Sequence, residues 1–350
     1  MAAASLNDIA RMLDVDGAPA PPPREPLVWT TPHRVALEMP TMRLRDFSSA
    51  PGGRATLICA PYALHGATVA DFAVGHSIIE TLRAGGLPRI HLTEWRPAEP
   101  DMRFFSVDTY LAELNVAVDE LGAPVDLVGL CQGGWLALVY AARFPHKVRR
   151  LVMAGAPVDL EAAPSGLTRL TRDTPLAFFE QLVRLGEGRV YGHRMLDLWS
   201  STAQFDSRNV LQLPEGTNAD LLAALDRRFA DWYRWTYDLP GTYYLQVVSW
   251  LYHENRLARG RFVALGRTID LGAVRHPLFL LAARDDELVA SEQLFATARY
   301  VATPVSEIAM VTEPCGHLGL FMGANTVTRT WANIARWLAA GDEQKPQAAA

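Results

Sequence analysis

Val125-Asp126-Leu127-Val128-Gly129-Leu130-Cys131-Gln132-Gly133-Gly134-Trp135 is a strand-length apolar run that passes through Gly-x-Cys-x-Gly directly into a helix-length run. Such a strand-to-helix turn is the setting of a nucleophile elbow, where one side chain is held exposed at the top of a sheet. The turn is so tight that neighbouring positions tolerate almost no side chain, which accounts for Gly129 and Gly133 on either side of Cys131. A helix opening near Gln132 aims free N–H groups and its positive end at the sulfur. That favours a thiolate and leaves the Gln132 N–H for an oxyanion. A buried core cysteine in a Gly-rich crossover would share this local pattern, so the reading depends on what lies further out.

Working outward, the apolar segments alternate in type. Residues 55–60 read as a buried strand closed by Pro61, and 69–82 have helical length and periodicity. Residues 89–95 read as a strand, 107–121 as a helix, 125–130 as a strand, 135–144 as a helix and 148–154 as a strand. Strands and helices at this spacing imply right-handed crossovers and a parallel sheet. After Asp159 the alternation stops for about a hundred residues. Segments 178–185, 219–236 and 243–257 are helical in pattern and rich in aromatics, with Trp232, Trp235, Tyr243, Tyr244, Trp250 and Tyr252. Alternation then resumes: 277–281 strand, 291–300 helix, 307–311 strand, 326–338 helix.

An elbow nucleophile needs an acid after a later strand and a histidine after the last one, in that chain order. Strand 277–281 runs into Arg284-Asp285-Asp286-Glu287-Leu288-Val289, and strand 307–311 into Glu313-Pro314-Cys315-Gly316-His317-Leu318-Gly319. His317 is therefore the candidate base for Cys131. Asp286 is its preferred partner, because the D-x-x-V spacing to Val289 sets it at the loop turn, and Asp285 is the alternative. The second oxyanion donor should come from the turn after residue 60, with Ala63, or failing it Tyr62, beside the Gln132 N–H. His65 lies in the same turn, as a site-lining or a structural residue, and Cys315 reads as a small buried residue.

Composition narrows the rest. The 350 residues are 49% hydrophobic and 20% charged, which excludes disorder as the main state. A net charge of −5 offers no basic face, so no nucleic-acid partner is expected. Three scattered cysteines, Cys59, Cys131 and Cys315, make neither a disulfide framework nor a thiolate metal site, so no metal is expected. Gly52-Gly53 precedes the first strand of the alternation, where a phosphate-binding loop would have to follow it. No membrane-spanning run and no secretory signal are read, and a cytoplasmic location is expected.

Most elbows carry serine, so the sulfur needs a reason. A thiol exchanges acyl groups with another thioester at little thermodynamic cost, which suits acyl transfer from a coenzyme A thioester to an alcohol. Gly129-Leu130-Cys131-Gln132-Gly133-Gly134 and Ala156-Pro157-Val158-Asp159 resemble the catalytic subunit of the short, two-component polyhydroxyalkanoate synthases. Leu251-Tyr252 with Asn255-Arg256-Leu257 and Gly260, Gly266-Arg267-Thr268-Ile269-Asp270-Leu271, and Gly316-His317-Leu318-Gly319 do so as well. Ala60-Pro61 with His65-Gly66-Ala67-Thr68, and Tyr243-Tyr244-Leu245-Gln246, resemble instead the intracellular polyhydroxyalkanoate depolymerases, which do not usually keep the Gly133-Gly134 pair.

Both families are branches of the α/β-hydrolase superfamily. The resemblance implies an α/β-hydrolase fold, with a mostly parallel sheet, helices on both faces and a helical cap insertion. It implies a Cys131-His317-Asp286 set in which Cys131 holds a growing chain made from 3-hydroxyacyl coenzyme A. The alternatives are ester or thioester hydrolysis and a non-catalytic granule protein. No cofactor is implied beyond coenzyme A thioester as substrate. The implied partners are the acyl-CoA or the polymer, and a second synthase subunit or a homodimer, with association to polyester granules. The expected organisation is an arm at 1–26 containing a short helix from Ser5, core segments at 27–159 and 263–340, a cap at 160–262 and a tail at 341–350.

Overall fold

The structure, a computed structural model, describes residues 27–200 and 205–340, leaving aside the side chains of 197–200. The expected arm at 1–26, its helix and the tail at 341–350 lie outside the described residues.

Eight strands form the main sheet: β1 (Arg34–Glu38), β2 (Met42–Asp46), β3 (Ala55–Cys59), β4 (Arg89–Trp95), β5 (Val125–Leu130), β6 (Val148–Ala154), β7 (Leu278–Ala283) and β8 (Ile308–Glu313). Their spatial order is β1-β2-β4-β3-β5-β6-β7-β8. The β1–β2 and β2–β4 pairs are antiparallel, and every pair from β4 to β8 is parallel. The central strands are buried on both faces, with all six residues of β5 buried. A buried Val or Leu there contributes about 1.5–3 kcal/mol.

The antiparallel edge did not stand out in the sequence. Met42, Leu44 and Asp46 alternate with half-buried Arg43 and Arg45, so this strand shows a charged face. Arg45 fastens it to β4 through Glu94, at 2.6 Å from the carboxylate.

Residues 69–82 also depart from the expected single helix. A helical turn at Ala67–Ala70 leads into a small hairpin, Asp71–Ala73 against His76–Ser77, before α1 (Ile78–Ala84) begins. Gly75, with φ +77°, makes the reversal that an L side chain resists. The fully buried Asp71 carboxylate accepts from the Thr31 N–H, the Thr31 hydroxyl and the Ser77 hydroxyl. Ser77 in turn caps α1 by accepting the Glu80 N–H at 3.0 Å. A side-chain network thus outcompetes the local helical periodicity.

Helices α2 (Val107–Leu121) and α3 (Gln132–Arg143) fill the crossovers of the first half. Between β6 and β7 the chain leaves the sheet and forms helices that include α4 (Gly166–Asp173), α5 (Leu176–Leu185), α6 (Ala219–Arg234) and α7 (Gly241–Gln246). The expected helix at 243–257 is α7 followed by a π-helical turn over Val247–His253. The expected helix at 291–300 is two short ones, Ser291–Phe295 and Thr297–Tyr300.

Where this helical segment departs from and rejoins the core, Asp159 is the knot. Its carboxylate accepts from Asn255 Nδ2 at 2.9 Å, Tyr300 Oη at 2.6 Å and Arg299 at 3.1 Å. Asn255 accepts the Leu160 N–H in return, at 3.2 Å. Among the described residues no helix is long and apolar enough to cross a membrane.

Candidate active site

β5 delivers Cys131 at φ 50°, ψ −120°, a conformation costly for any residue with a side chain, and α3 starts at the next position. Two things hold it there. The Cys131 N–H donates to the Ala154 carbonyl at 2.8 Å, tying the turn to the end of β6. Gly133 lets the turn sit on the end of β3: a Cβ there would lie 2.1 Å from the Cys59 carbonyl oxygen and 2.6 Å from that of Ala60. The elbow is thus wedged between two strand ends.

Parallel pairing brings the later loops to the same edge. β7 lies between β6 and β8, and its loop carries Asp286; the segment after β8 carries His317. Asp286 Oδ1 accepts the Leu288 N–H at 2.9 Å and the Val289 N–H at 2.8 Å, which is the D-x-x-V turn anticipated from spacing. Its Oδ2 is left to accept from His317 Nδ1 at 2.7 Å. His317 Nε2 lies 3.2 Å from Cys131 Sγ. Asp285, the alternative acid, points to solvent and pairs with Arg284 at 3.2 Å.

His317 is 2% exposed. Burial disfavours its charged form, but the Asp286 carboxylate and the Cys131 sulfur outweigh that and raise its pKa well above the usual histidine value. The edge of its ring meets Phe321, with centroids 5.4 Å apart. The other two cysteines are thiols set apart from this chemistry. Burial pushes Cys59 and Cys315 up to about 12.

Above Cys131 and His317 lies a cavity of about 170 Å³ whose walls come from both the core loops and the helical segment. Leu167, Phe179, Trp232, Tyr243, Tyr244 and Tyr252 line it from the helical side, and Tyr62, Ala63 and His65 from the turn after β3. Among the described residues the N–H groups of Gln132, Ala63 and Tyr62 take no hydrogen bond within the protein. Ala63 and Tyr62 both remain candidates beside Gln132. His65 is a wall residue: its ring packs 4.3 Å from Trp232, its Nδ1 donates to the Trp235 carbonyl at 3.2 Å, and burial pushes its pKa down to about 4.

One feature had no signal in the spacing. The Gln132 side chain accepts from Trp135 Nε1 at 2.6 Å and donates to Tyr252 Oη at 2.9 Å, bridging the elbow to the helical segment. In the sequence Tyr252 stands out as one aromatic of the helical segment and as part of a family motif, with no link to Gln132. Among the described residues no group of three or more His, Cys, Asp or Glu is arranged to hold a metal ion.

A parallel sheet of this strand order, with a strained Cys at the turn after β5 and Asp and His on the loops after β7 and β8, defines an α/β-hydrolase architecture. The chain belongs to the α/β-hydrolase fold family, whose model matches residues 92–324. Within it, the chain is 28% identical over 284 residues to the poly(3-hydroxyalkanoate) polymerase subunit PhaC of Synechocystis sp., covering 77% of this chain and 73% of that protein. It is 26% identical over 282 residues to the subunit of the same name from Allochromatium vinosum, covering 77% and 76%. Among solved structures it is similar to a Paleococcus ferrophilus monoacylglycerol lipase, with TM-score 0.55 and 16% identity over 85% of this chain and 98% of that one. It is also similar to mouse alpha/beta hydrolase domain-containing protein 10, with TM-score 0.53 and 14% identity over 88% and 99%. These structural likenesses speak for the fold alone.

Proposed function

We propose that the protein is a cysteine-dependent acyltransferase that polymerises 3-hydroxyacyl coenzyme A through a thioester on Cys131. The observation that carries this reading is the 3.2 Å approach of His317 Nε2 to Cys131 Sγ at the floor of an apolar cavity. The names of the PhaC relatives supply the substrate class.

In this reading His317 takes the proton of Cys131, and the sulfur attacks the thioester carbonyl. The oxyanion is held by the N–H groups of Gln132 and of Ala63 or Tyr62. The carbon–sulfur bond to coenzyme A breaks, and the imidazolium returns its proton to the departing thiolate. His317 then removes the proton of a hydroxyl, whose oxygen attacks the Cys131 thioester; an ester forms and Sγ is released. Asp286 holds the Nδ1–H tautomer and stabilises the imidazolium between these steps.

Residues 160–262 act as a cap that keeps water from the acyl-enzyme, so an alcohol intercepts it. The cavity wall favours this over hydrolysis, because its side chains are mainly aliphatic and aromatic. Cytoplasmic action at polyester granules, with a second subunit or a second copy, belongs to the same proposal.

Purified protein given 3-hydroxybutyryl coenzyme A, and separately amorphous polyester granules, tests it. Coenzyme A release with polymer growth is expected. Soluble hydroxyacids from granules without polymer growth would instead establish the depolymerase reading.

A further inference from the structure

The Gln132 amide has only one orientation that satisfies its neighbours. Its Oε1 must accept from Trp135 Nε1, which can only donate, so its Nε2 faces Tyr252 and donates to the hydroxyl oxygen at 2.9 Å. Tyr252 Oη is therefore held as an acceptor. Its own proton meets no acceptor among the described residues, although the residue is only 7% exposed. A buried hydroxyl normally finds a partner for its proton.

The ring lines the same cavity as Cys131 and His317, and the side chain that anchors it belongs to the residue next to Cys131. Other hydroxyls nearby are committed. Tyr243 Oη donates to the Tyr62 carbonyl at 3.4 Å, and Tyr62 Oη donates to the Arg96 carbonyl at 3.0 Å. Tyr244 Oη is likewise buried without a partner, but among the described residues no hydrogen bond ties it to the elbow.

We propose that the Tyr252 hydroxyl is a specificity group that donates to the oxygen on C3 of the acyl chain carried by Cys131. It thereby favours 3-hydroxyacyl over unsubstituted acyl groups. This rests on the acyl-transfer reading above. An acyl group bound to Sγ extends into the cavity, and the oxygen two carbons beyond its carbonyl supplies the acceptor that the hydroxyl lacks. Burial raises the Tyr252 pKa, so the group stays a donor across the working range. A site built to hydrogen-bond one substrate oxygen discriminates against the analogue without it, because the buried donor is then left unpaired.

The test measures acylation of Cys131 by 3-hydroxybutyryl coenzyme A and by butyryl coenzyme A, using intact mass at short times, in the wild type and in Tyr252→Phe. The wild type should prefer the hydroxylated thioester. In Tyr252→Phe the ratio of the two rates should fall by about five- to tenfold, through loss on the hydroxylated substrate alone. A structural defect would instead lower both rates together and leave the ratio unchanged, which overturns the proposal. Equal rates for the two thioesters in the wild type overturn it without any variant. No acylation of Cys131 by either thioester, while iodoacetamide still labels it, overturns the acyl-transfer reading itself.

Discussion

His317 follows Cys131 by 186 residues in the chain, yet its Nε2 lies 3.2 Å from Cys131 Sγ, while its other ring nitrogen, Nδ1, is fixed by Asp286. Three loops at one edge of a parallel sheet converge to make this contact. The sulfur is also set apart from the other two cysteines, which burial keeps as thiols with pKa values of about 12. Brief treatment with iodoacetamide near pH 7.5 should therefore modify Cys131 and leave Cys59 and Cys315 unmodified in the folded protein. Peptide mapping reads the outcome, and His317→Ala should slow the labelling of Cys131 at least tenfold.

Asp286 and Asp285 are neighbours with opposite surroundings. Asp286→Asn removes the acceptor that fixes the Nδ1–H tautomer and should lower coenzyme A release by about 10²–10⁴-fold. Asp285→Asn disturbs only an exposed pair with Arg284 and should stay within about twofold of wild type. A steady-state thiol-release assay on both variants decides the assignment.

Gly133→Ala should destabilise the fold by about 1–3 kcal/mol or more, because its Cβ would enter the Cys59 and Ala60 carbonyl oxygens. Gly52→Ala, where nothing lies within 4 Å, should remain within about 0.5 kcal/mol of wild type. Urea midpoints of the two variants give the comparison.

Acid should weaken the protein through His91, which is 5% exposed. Burial depresses its pKa from 6.5 to about 4, although the Asp46 carboxylate pulls the other way. The unfolded chain then binds a proton that the folded one refuses. This contribution is complete above about pH 6.5 and is lost as pH falls toward 4, at about 1.4 kcal/mol per pH unit. His317 has the opposite sign. Its raised pKa stabilises the fold at low pH, and that is lost as pH rises through the folded value. Urea unfolding of His91→Gln between pH 4.5 and 6.5 should show a slope flatter by about one proton; an unchanged slope contradicts the assignment.

The parts of the fold that were legible in the sequence are those where local and tertiary preferences agree. β5, β6 and β4 are strand-length runs bounded by glycine or proline, and their observed ends match the expected ones. The site was legible because an elbow constrains spacing: Cys131 must follow a strand, and Asp286 and His317 must follow later ones. What the sequence hid was decided by side chains far apart in the chain. Asp71 reaches Thr31 to break the expected 69–82 helix, and Glu94 fastens the charged edge strand β2. The same holds for Gln132 and Tyr252, whose bond spans 120 residues.

Under the proposed function Cys131 carries the acyl group. Intact-mass analysis of protein mixed with 3-hydroxybutyryl coenzyme A, followed by peptide mapping, tests it most directly. A hydroxybutyryl adduct on Cys131, absent from Cys131→Ala along with coenzyme A release, is the predicted result. Undiminished release by Cys131→Ala, or an adduct mapped to another residue, would contradict it.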